Sequence, residues 1–412
     1  MIARHRYQDD LMKFKDTDVV KVLTGIRRCG KSSLMSLYKE QLLQQGAPQE
    51  RVIHLDFNIS ELAELENAAT LEARLNSLMS DDDRYYLLLD EIQEIDGWER
   101  VVNSLHAQKR ADLYITGSNA RILSSELATY LTGRYVTIPV YPLSFEEYFD
   151  FAADHLVADI SQTRAHPTLL RAAFEDYLAF GGFPLVYTSG FDQEQANRAV
   201  RDIYDSILLR DIVQRKKIRN VEMLEKVTRF CLSNVGNLLS GKKVADYFKS
   251  QQRSVNPETI YNYLNALTEA FLVGKALRFD LEGKGLLKTN EKYFAGDHSL
   301  VNAVLGPSLN RIPGLLENVV YYELLRRGWT VSVGKQGERE IDFVAEHQDE
   351  RIYVQVCYQI DALQTEEREY APLRAIKDNY PKYVLSLDAL PTENKSGIKR
   401  MPLPEFLLSD AW

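Results

Sequence analysis

Residues Gly25 to Ser32 read G-I-R-R-C-G-K-S and match the pattern G-x-x-x-x-G-K-[S/T]. Strand-forming residues from Val19 to Leu23 precede the motif, and a helical pattern from Ser33 to Gln45 follows it. The glycines permit a tight loop whose backbone N–H groups face phosphate oxygens, and the helix dipole favours an anion at its N-terminus. The motif therefore predicts an α/β fold with a phosphate-binding loop.

Each position of this loop has an expected role. Lys31 is predicted to reach the β and γ phosphates of a nucleotide, and Ser32 is predicted to bind Mg²⁺. The residues expected to surround the phosphates are Gly25, Ile26, Arg27, Arg28, Cys29, Gly30, Lys31, Ser32 and Ser33.

Two acids end the apolar run Y-Y-L-L-L, which begins at Tyr85. Asp90 is predicted to lie at the carboxyl edge of a parallel sheet and to hold Mg²⁺ through water. Glu91, the next residue, is predicted to orient and activate the attacking water. A further strand ends before Ser118 and Asn119, either of which is a candidate sensor of the γ-phosphate; the alternative is a turn built from Gly-Ser-Asn.

The composition of the 412 residues is that of a globular protein and excludes collagen, low-complexity disorder and a disulfide scaffold. The length predicts two or three domains. Cys29, Cys231 and Cys357 are far apart and form no C-x-x-C pair, which favours a reducing, cytoplasmic location. The N-terminus has no signal-peptide pattern, and no apolar run is long enough for a membrane span, so no membrane partner is expected.

Short apolar runs alternate with longer mixed segments up to Val140, which predicts a parallel sheet with crossover helices. The predicted strands are Val19–Leu23, Val52–Phe57, Tyr85–Leu89, Leu113–Thr116 and Tyr135–Val140. A helical region follows Pro142, and Gly181–Pro184 marks a turn between two helices. From Leu315 a third, α/β unit is predicted.

The segment 210–253 carries eleven Lys or Arg and four Asp or Glu, a net charge of +7 in a chain whose net charge is −9. A helix-start signature at Asn256 and glycines around Lys284 follow it, and together they predict a winged helix-turn-helix. Lys216, Lys217, Lys242 and Lys243 are the candidate DNA-binding residues. The alternative is a helical bundle whose charges only face water.

These motifs, with Thr116–Asn119, Leu131–Arg134 and Tyr141–Phe145, resemble those of bacterial and archaeal AAA+ ATPases that carry a winged helix and a restriction-endonuclease-like C-terminal domain. Gly181–Pro184 and Glu291–Asp297 fit the same family, so the resemblance covers nearly the whole chain. It implies ATP and Mg²⁺ as cofactors. It also implies an AAA+ core at 1–145, a helical lid at 146–205, a winged helix at 206–300 and a nuclease-like domain at 301–412.

The resemblance assigns further roles. Arg134 is similar to an arginine finger, which acts on the nucleotide of a neighbouring subunit and implies a homo-oligomer, with a hexameric ring as one candidate arrangement. Pro184 is similar to a proline that lies against adenine, and Tyr7 is a second candidate for contact with the base.

The nuclease pattern of that family implies Glu317, Asp342 and an acid-x-Lys pair on the next strand. Gln355 and Cys357 occupy the positions of that acid and lysine, so a carboxylate and a cation are missing. We therefore expect a C-terminal domain without metal-dependent cleavage, kept as an interaction or DNA-docking surface.

Taken together, the sequence predicts an ATP-hydrolysing protein that binds duplex or branched DNA and couples turnover to its remodelling or translocation. One alternative is a nucleotide-switched signalling or defence protein in which the winged helix is a lid. Metal-dependent DNA cleavage is the less favoured alternative.

Overall fold

The computed structural model describes residues 1–58, 67–81, 83–123, 133–153, 156, 158–253, 255–283, 285–360, 363–388 and 392–409. Leu131, Thr132 and Lys284, which contribute to the motifs above, lie outside the described residues. The chain divides into two compact units, Met1–Val140 with Glu269–Phe271 and Tyr141–Thr268 with Leu272–Trp412.

Five described strands form the parallel sheet of the first unit, in the order β2-β3-β4-β1-β5. The strands are β1 (Val20–Thr24), β2 (Val52–Asp56), β3 (Tyr85–Asp90), β4 (Ala111–Gly117) and β5 (Tyr135–Pro139). Strands β1, β3 and β4 are buried along their length except at Tyr86, as the near-continuous apolar runs in their sequences require. The predicted parallel sheet is confirmed.

The helices of the first unit are α1 (His5–Lys13), α2 (Lys31–Gln44), α3 (Ala68–Leu78) and α4 (Trp98–Gln108). Short 3₁₀ turns lie at Gln49–Arg51, Ile92–Glu94 and Ala120–Leu123. A capping box between Asn67 and Thr70 begins α3. Apolar side chains of α3 and α4 pack with those of the strands into one buried cluster that includes Leu71, Val102 and Leu113.

The second unit begins with helices α5 (Phe145–Phe151), α6 (Ile160–Ala165), α7 (Pro167–Phe180), α8 (Pro184–Thr188) and α9 (Gln193–Ser206), the last of which continues as a π-helix over Ile207–Gln214. Ser144 and Glu147 form a capping box at the start of α5. Proline occupies the first turn of α7 and of α8, where its missing N–H costs no helical hydrogen bond.

The rest of the second unit alternates helices with strands. Its helices are α10 (Val221–Ser233), α11 (Gly241–Ser250), α12 (Pro257–Glu269), α13 (Ser299–Leu305), α14 (Ile312–Arg326), α15 (Leu363–Arg374) and α16 (Leu403–Leu408), with a 3₁₀ turn at Leu309–Arg311. Its strands are β6 (Leu238–Leu239), β7 (Val273–Asp280), β8 (Gly285–Ala295), β9 (Thr330–Gln336), β10 (Arg339–His347), β11 (Glu350–Val356), β12 (Lys382–Ser386), β13 (Glu393–Lys395) and β14 (Ile398–Pro402).

All nine of these described strands belong to one mixed sheet, in the order β13-β14-β12-β11-β10-β9-β7-β8-β6. The hairpin β7–β8 is antiparallel, and β7 also pairs in parallel with β9, for example Leu277 with Ser332. Strands from the predicted segments 206–300 and 301–412 therefore share one sheet. The predicted boundaries between the four domains stay a prediction.

Candidate functional site

The loop between β1 and α2 has a backbone conformation that requires glycine at two positions. Gly30 precedes α2 with a φ of 103°, in the left-handed region that side chains disfavour. A Cβ atom on Gly25 would lie 2.0 Å from the carbonyl oxygen of Val140, so the chain passes there too closely for any side chain. The two glycines of the motif are thus required by geometry, and the loop leads directly into the N-terminus of α2.

Lys31 is almost completely buried in this loop, with 4% of its surface exposed. Its Nζ donates to the carbonyl oxygens of Gly25, at 3.0 Å, and Ile26, at 3.3 Å. The Oε1 of Glu91 lies 3.5 Å from the same ammonium group. The structure therefore brings Lys31 of the loop and Glu91 of the acidic pair together.

Thr116 of β4 joins the two acids that end β3. Its hydroxyl accepts a hydrogen bond from the backbone N–H of Glu91 at 2.8 Å and donates one to Oδ1 of Asp90. Glu91 itself has a φ of 54°, in the left-handed region, so the backbone leaves the strand conformation at this residue. Thr116 thus fixes both acids from the neighbouring strand.

The two acids differ in their pKa values because their surroundings differ. Burial is the largest influence on Asp90 and raises its pKa to about 6, although the Ser32 and Thr116 hydroxyls oppose the shift. Burial also acts on Glu91, but the Lys31 ammonium and a hydrogen bond from Gln93 outweigh it, and the pKa of Glu91 is lowered. Glu91 is therefore ionised at neutral pH.

Asp90 is also the residue that best fits a magnesium ion. Its side chain is fully buried, and its Oδ2 has no hydrogen-bond partner among the described residues. An unsatisfied carboxylate oxygen in a buried site is costly unless a cation or an ordered water meets it. Asp90 and the nearby Ser32 are hard oxygen donors of the kind that Mg²⁺ takes.

Three residues near this cluster were not among the predicted site residues. Thr116 is one, although its place at the end of β4 is a usable signal. Gln93 donates from Nε2 to Oε2 of Glu91, and Arg4 donates from Nη1 to the carbonyl oxygen of Cys29 at 2.9 Å. Nothing in the local sequence pattern marks Gln93 or Arg4, since both contacts arise from folding.

The remaining predicted residues of the first unit have these positions. Asn119, with 2% of its surface exposed, follows β4. Tyr7 is buried in α1, and the Arg4 guanidinium carbon lies 4.5 Å from the centre of its ring. Arg134 is exposed just before β5, and its backbone oxygen accepts from the Val20 N–H. Their roles toward a nucleotide stay predictions.

Pro184 is the first residue of α8 in the second unit, after the glycine turn. Asp297 accepts a hydrogen bond from the Gly182 N–H at 2.8 Å. A Cβ atom on Gly181 would lie 2.3 Å from the Cβ of Ser299, so this turn needs glycine for packing. The glycines of this motif therefore have a structural role, and the adenine contact of Pro184 stays a prediction.

Models of two protein families match the chain. One, described as an AAA domain, matches residues 17–149, and the other, described as a domain of unknown function (DUF8612), matches residues 171–310. An uncharacterized protein of Haemophilus influenzae is 39% identical over 409 residues, which cover 99% of both chains. The uncharacterized protein MJ1544 of Methanocaldococcus jannaschii is 29% identical over 87% of this chain and 79% of its own.

Among solved structures, a Walker-type ATPase of Pyrococcus abyssi is similar to the chain with a TM-score of 0.49 and 13% identity, over 74% of this chain and 96% of its own. Among the described residues, no helix has the length and apolar character needed to cross a bilayer.

The parallel sheet, the loop at its carboxyl edge and the matching AAA domain define a P-loop protein of the AAA+ class. The chain belongs to the same family as the Haemophilus influenzae protein, which matches it from end to end.

We expect Lys31→Ala to weaken nucleotide binding on the order of 100-fold, since it removes a buried cation that can meet phosphate charge. Glu91→Gln should keep binding and reduce hydrolysis on the order of 10² to 10⁴-fold. Fluorescent-nucleotide titration and phosphate release measure the two effects. Glu94→Gln, at an exposed acid in the same turn, is the matched control. Normal turnover by Glu91→Gln would remove Glu91 from the reaction.

The raised pKa of Asp90 predicts a pH dependence. Below about pH 6 the carboxyl is protonated and no longer attracts a cation, so the gain in nucleotide affinity from Mg²⁺ should fall as the pH decreases through that value. Nucleotide titrations with and without Mg²⁺, from about pH 7.5 to about pH 5, measure this gain. Asp90→Asn should leave only the pH dependence that comes from titration of the nucleotide's own phosphate. A gain that stays constant in the unmodified protein would contradict the assignment.

Proposed function

We propose that this protein binds ATP with Mg²⁺ in the first unit and hydrolyses it. The observation that carries the proposal is the convergence of Lys31, Asp90 and Glu91 at the carboxyl edge of one parallel sheet. Ligands of such sheets bind outside the carboxyl ends of the strands. The AAA-domain match over residues 17–149 supports the same class of reaction.

Each side chain of the site has a separate role in hydrolysis. Lys31 releases its contacts with two backbone carbonyls and with Glu91 when its ammonium meets the phosphates. Glu91, ionised and held by Gln93, accepts a hydrogen bond from the attacking water and orients it. Asp90 and Ser32 are the residues that would hold Mg²⁺, which when bound would supply positive charge against the negative charge of the phosphates.

Arg134 is proposed to act on the nucleotide of a neighbouring subunit. It is exposed, and it precedes β5, the edge strand that pairs with β1. An exposed guanidinium is available to stabilise charge that develops on a phosphoryl group of a neighbouring subunit. The proposal therefore includes a homo-oligomer, for which a hexameric ring is one arrangement.

Arg134→Ala should bind ATP nearly normally and lose hydrolysis by a factor on the order of 10³. When it is mixed with Glu91→Gln, the intact Glu91 of one variant meets the intact Arg134 of the other, and activity should return. Phosphate release from the mixture measures this. Arg100→Ala, at an exposed arginine of α4, is the control and should retain activity. Co-assembly of the two inactive variants without activity would contradict action between subunits.

We propose DNA as the partner of the second unit. The order α10, β6, α11, α12 and the hairpin β7–β8, with β6 paired to β8, resembles that of a winged helix-turn-helix and supports this proposal. Such a fold presents helices and loops to DNA, and phosphate contacts from Lys and Arg supply most of the affinity.

The basic segment 210–253 contains two groups of cations. Arg229 donates to the carbonyl oxygen of Val304 at 2.9 Å, and Lys226 and Arg253 both pair with Glu222, so these side chains are engaged within the protein. The second group consists of the exposed lysines Lys217, Lys242 and Lys243, whereas the fourth candidate, Lys216, is half-buried.

Lys242 and Lys243 lie in the first turn of α11, which Ser240 caps by accepting from the Lys243 N–H. Cations there oppose the helix dipole, whose positive end attracts anions. This placement costs helix stability but suits a phosphate group. It supports the assignment of these two lysines to DNA binding.

Reversal of charge at Lys216, Lys217, Lys242 and Lys243 should weaken duplex binding and reduce the slope of log K against log salt by about 0.9 for each phosphate that the protein no longer neutralises. Basal ATPase activity should be retained. Fluorescence anisotropy over a series of salt concentrations measures the slope. The control carries the same change in net charge at Lys13, Lys15, Lys109 and Lys377. Equal slopes for the two variants would indicate that the basic residues only face water.

An ATPase assay with single-stranded, duplex and branched DNA tests the coupling itself. Stimulation by DNA supports remodelling or translocation. DNA-independent turnover without salt-dependent binding would instead favour the nucleotide-switched signalling or defence protein.

A further inference from the structure

A buried lysine lies at the centre of the acids that the sequence assigns to a nuclease-like site. Lys292 of β8 is 1% exposed. Its Nζ lies 2.8 Å from Glu317 Oε2, 2.8 Å from Glu340 Oε1 and 3.1 Å from Asp342 Oδ1. The nuclease pattern places a cation at position 357, where this chain has a cysteine. In the structure the cation comes instead from Lys292 on β8, and Glu340 is a third acid beside it.

Several elements converge to make this cluster. Glu317 comes from α14, Glu340 and Asp342 come from β10, and the register of β10 against β9 shifts between Ile341 and Val344. Such an irregularity changes the direction in which a strand residue points. The other oxygen of Asp342, Oδ2, accepts from the Val356 N–H at 2.9 Å. Each carboxylate oxygen of Asp342 therefore has a partner, Oδ1 the Lys292 ammonium and Oδ2 the Val356 N–H.

The distances identify the kind of cation that this cluster fits. An ammonium group donates to carboxylates at about 2.7–2.9 Å, whereas Mg²⁺ and Ca²⁺ bind oxygen at about 2.0–2.6 Å. Lys292 donates hydrogen bonds to Glu317 and Asp342, and Glu340 lies beside it as a third acid within ion-pair distance. A metal ion bound by the same three oxygens would have to occupy the position of Nζ. With Lys292 between these acids, no group of three or more His, Cys, Asp or Glu among the described residues is arranged to hold a metal ion.

We propose that Lys292 is a resident cation that takes the place of a divalent metal in this carboxylate cluster. The single ammonium then offsets part of the negative charge of three acids and joins α14, β8 and β10, and the acids form a latent divalent-cation site that opens only when the lysine is removed. The carboxylates raise the pKa of Lys292 against the effect of burial, so the ammonium form persists.

The neighbouring positions agree with a site that does not hold metal. Gln355 accepts from the Asp342 N–H at 3.3 Å through Oε1, so its amide oxygen is directed to the backbone. Burial raises the pKa of the Cys357 thiol, which lies 3.6 Å from the carbonyl oxygen of Leu385. Neither residue supplies the charge of the acid or the lysine expected at its position.

The test replaces Lys292 by methionine, which removes the charge and keeps an unbranched chain of similar length. With no nucleotide present, Lys292→Met should bind one more Mn²⁺ per chain than the unmodified protein by electron paramagnetic resonance. Mn²⁺ at about 100 times its Kd should raise the folding equilibrium constant of the variant about 100-fold.

The matched control is Lys21→Met. Lys21 is an equally buried lysine, but it pairs with the single carboxylate Asp112, which Arg84 also approaches, so its removal leaves no site for a divalent ion. The control should gain no Mn²⁺. A folded Lys292→Met variant that gains no Mn²⁺ would overturn the proposal.

A second measurement decides the question if Lys292→Met does not fold. The unmodified protein and Asp342→Asn should bind equal numbers of Mn²⁺ ions, and neither should nick plasmid DNA with Mg²⁺ or Mn²⁺. Loss of one Mn²⁺, or loss of nicking, on Asp342→Asn would mean that the cluster binds metal in the unmodified protein, and the proposal would be wrong.

Discussion

The pairing of β4 between β3 and β1 is the constraint on which the candidate active site depends. Because the three strands are parallel neighbours, their carboxyl ends lie at one edge of the sheet, with Leu89 opposite Ile115 and Leu23 opposite Thr116. Thr116 can reach the acids that end β3 only from this position. The loop after β1 then places Lys31 beside Glu91, although 60 residues separate them in the sequence.

Both units contain lysines that are buried beside carboxylates. Lys21, Lys31 and Lys292 are each less than 5% exposed, and each lies beside at least one carboxylate. A buried charge is tolerated only when a partner compensates the loss of water. The same rule has different consequences at the three sites: Lys31 has backbone partners that it can exchange for phosphate, whereas Lys21 and Lys292 are held by carboxylates and serve the fold.

The buried Asp90 of the candidate active site lowers the stability of the folded protein. The pKa of Asp90 is about 6 in the folded protein in place of the ordinary 3.8. Ionisation of Asp90 therefore lowers the free energy of unfolding as the pH rises above 3.8, and this loss of stability is complete above about pH 6. The difference corresponds to about 3 kcal/mol. A cation beside Oδ2 would offset this cost, which is why an acid that weakens the fold can strengthen the binding of Mg²⁺ with a nucleotide.

From the sequence alone one could predict the parallel sheet, the loop before α2 and the acids Asp90 and Glu91, because strand periodicity, glycine and motif spacing are local properties. The cluster around Lys292 required the tertiary structure. Its members come from β8, α14 and β10, and the spacing of Glu317 and Asp342 contains no information about a lysine on a strand that lies three positions away in the sheet. Likewise, the pairing of β7 with β9 joins segments that the sequence treats as separate domains. Local patterns determine elements and motifs, whereas long-range packing decides which charges meet.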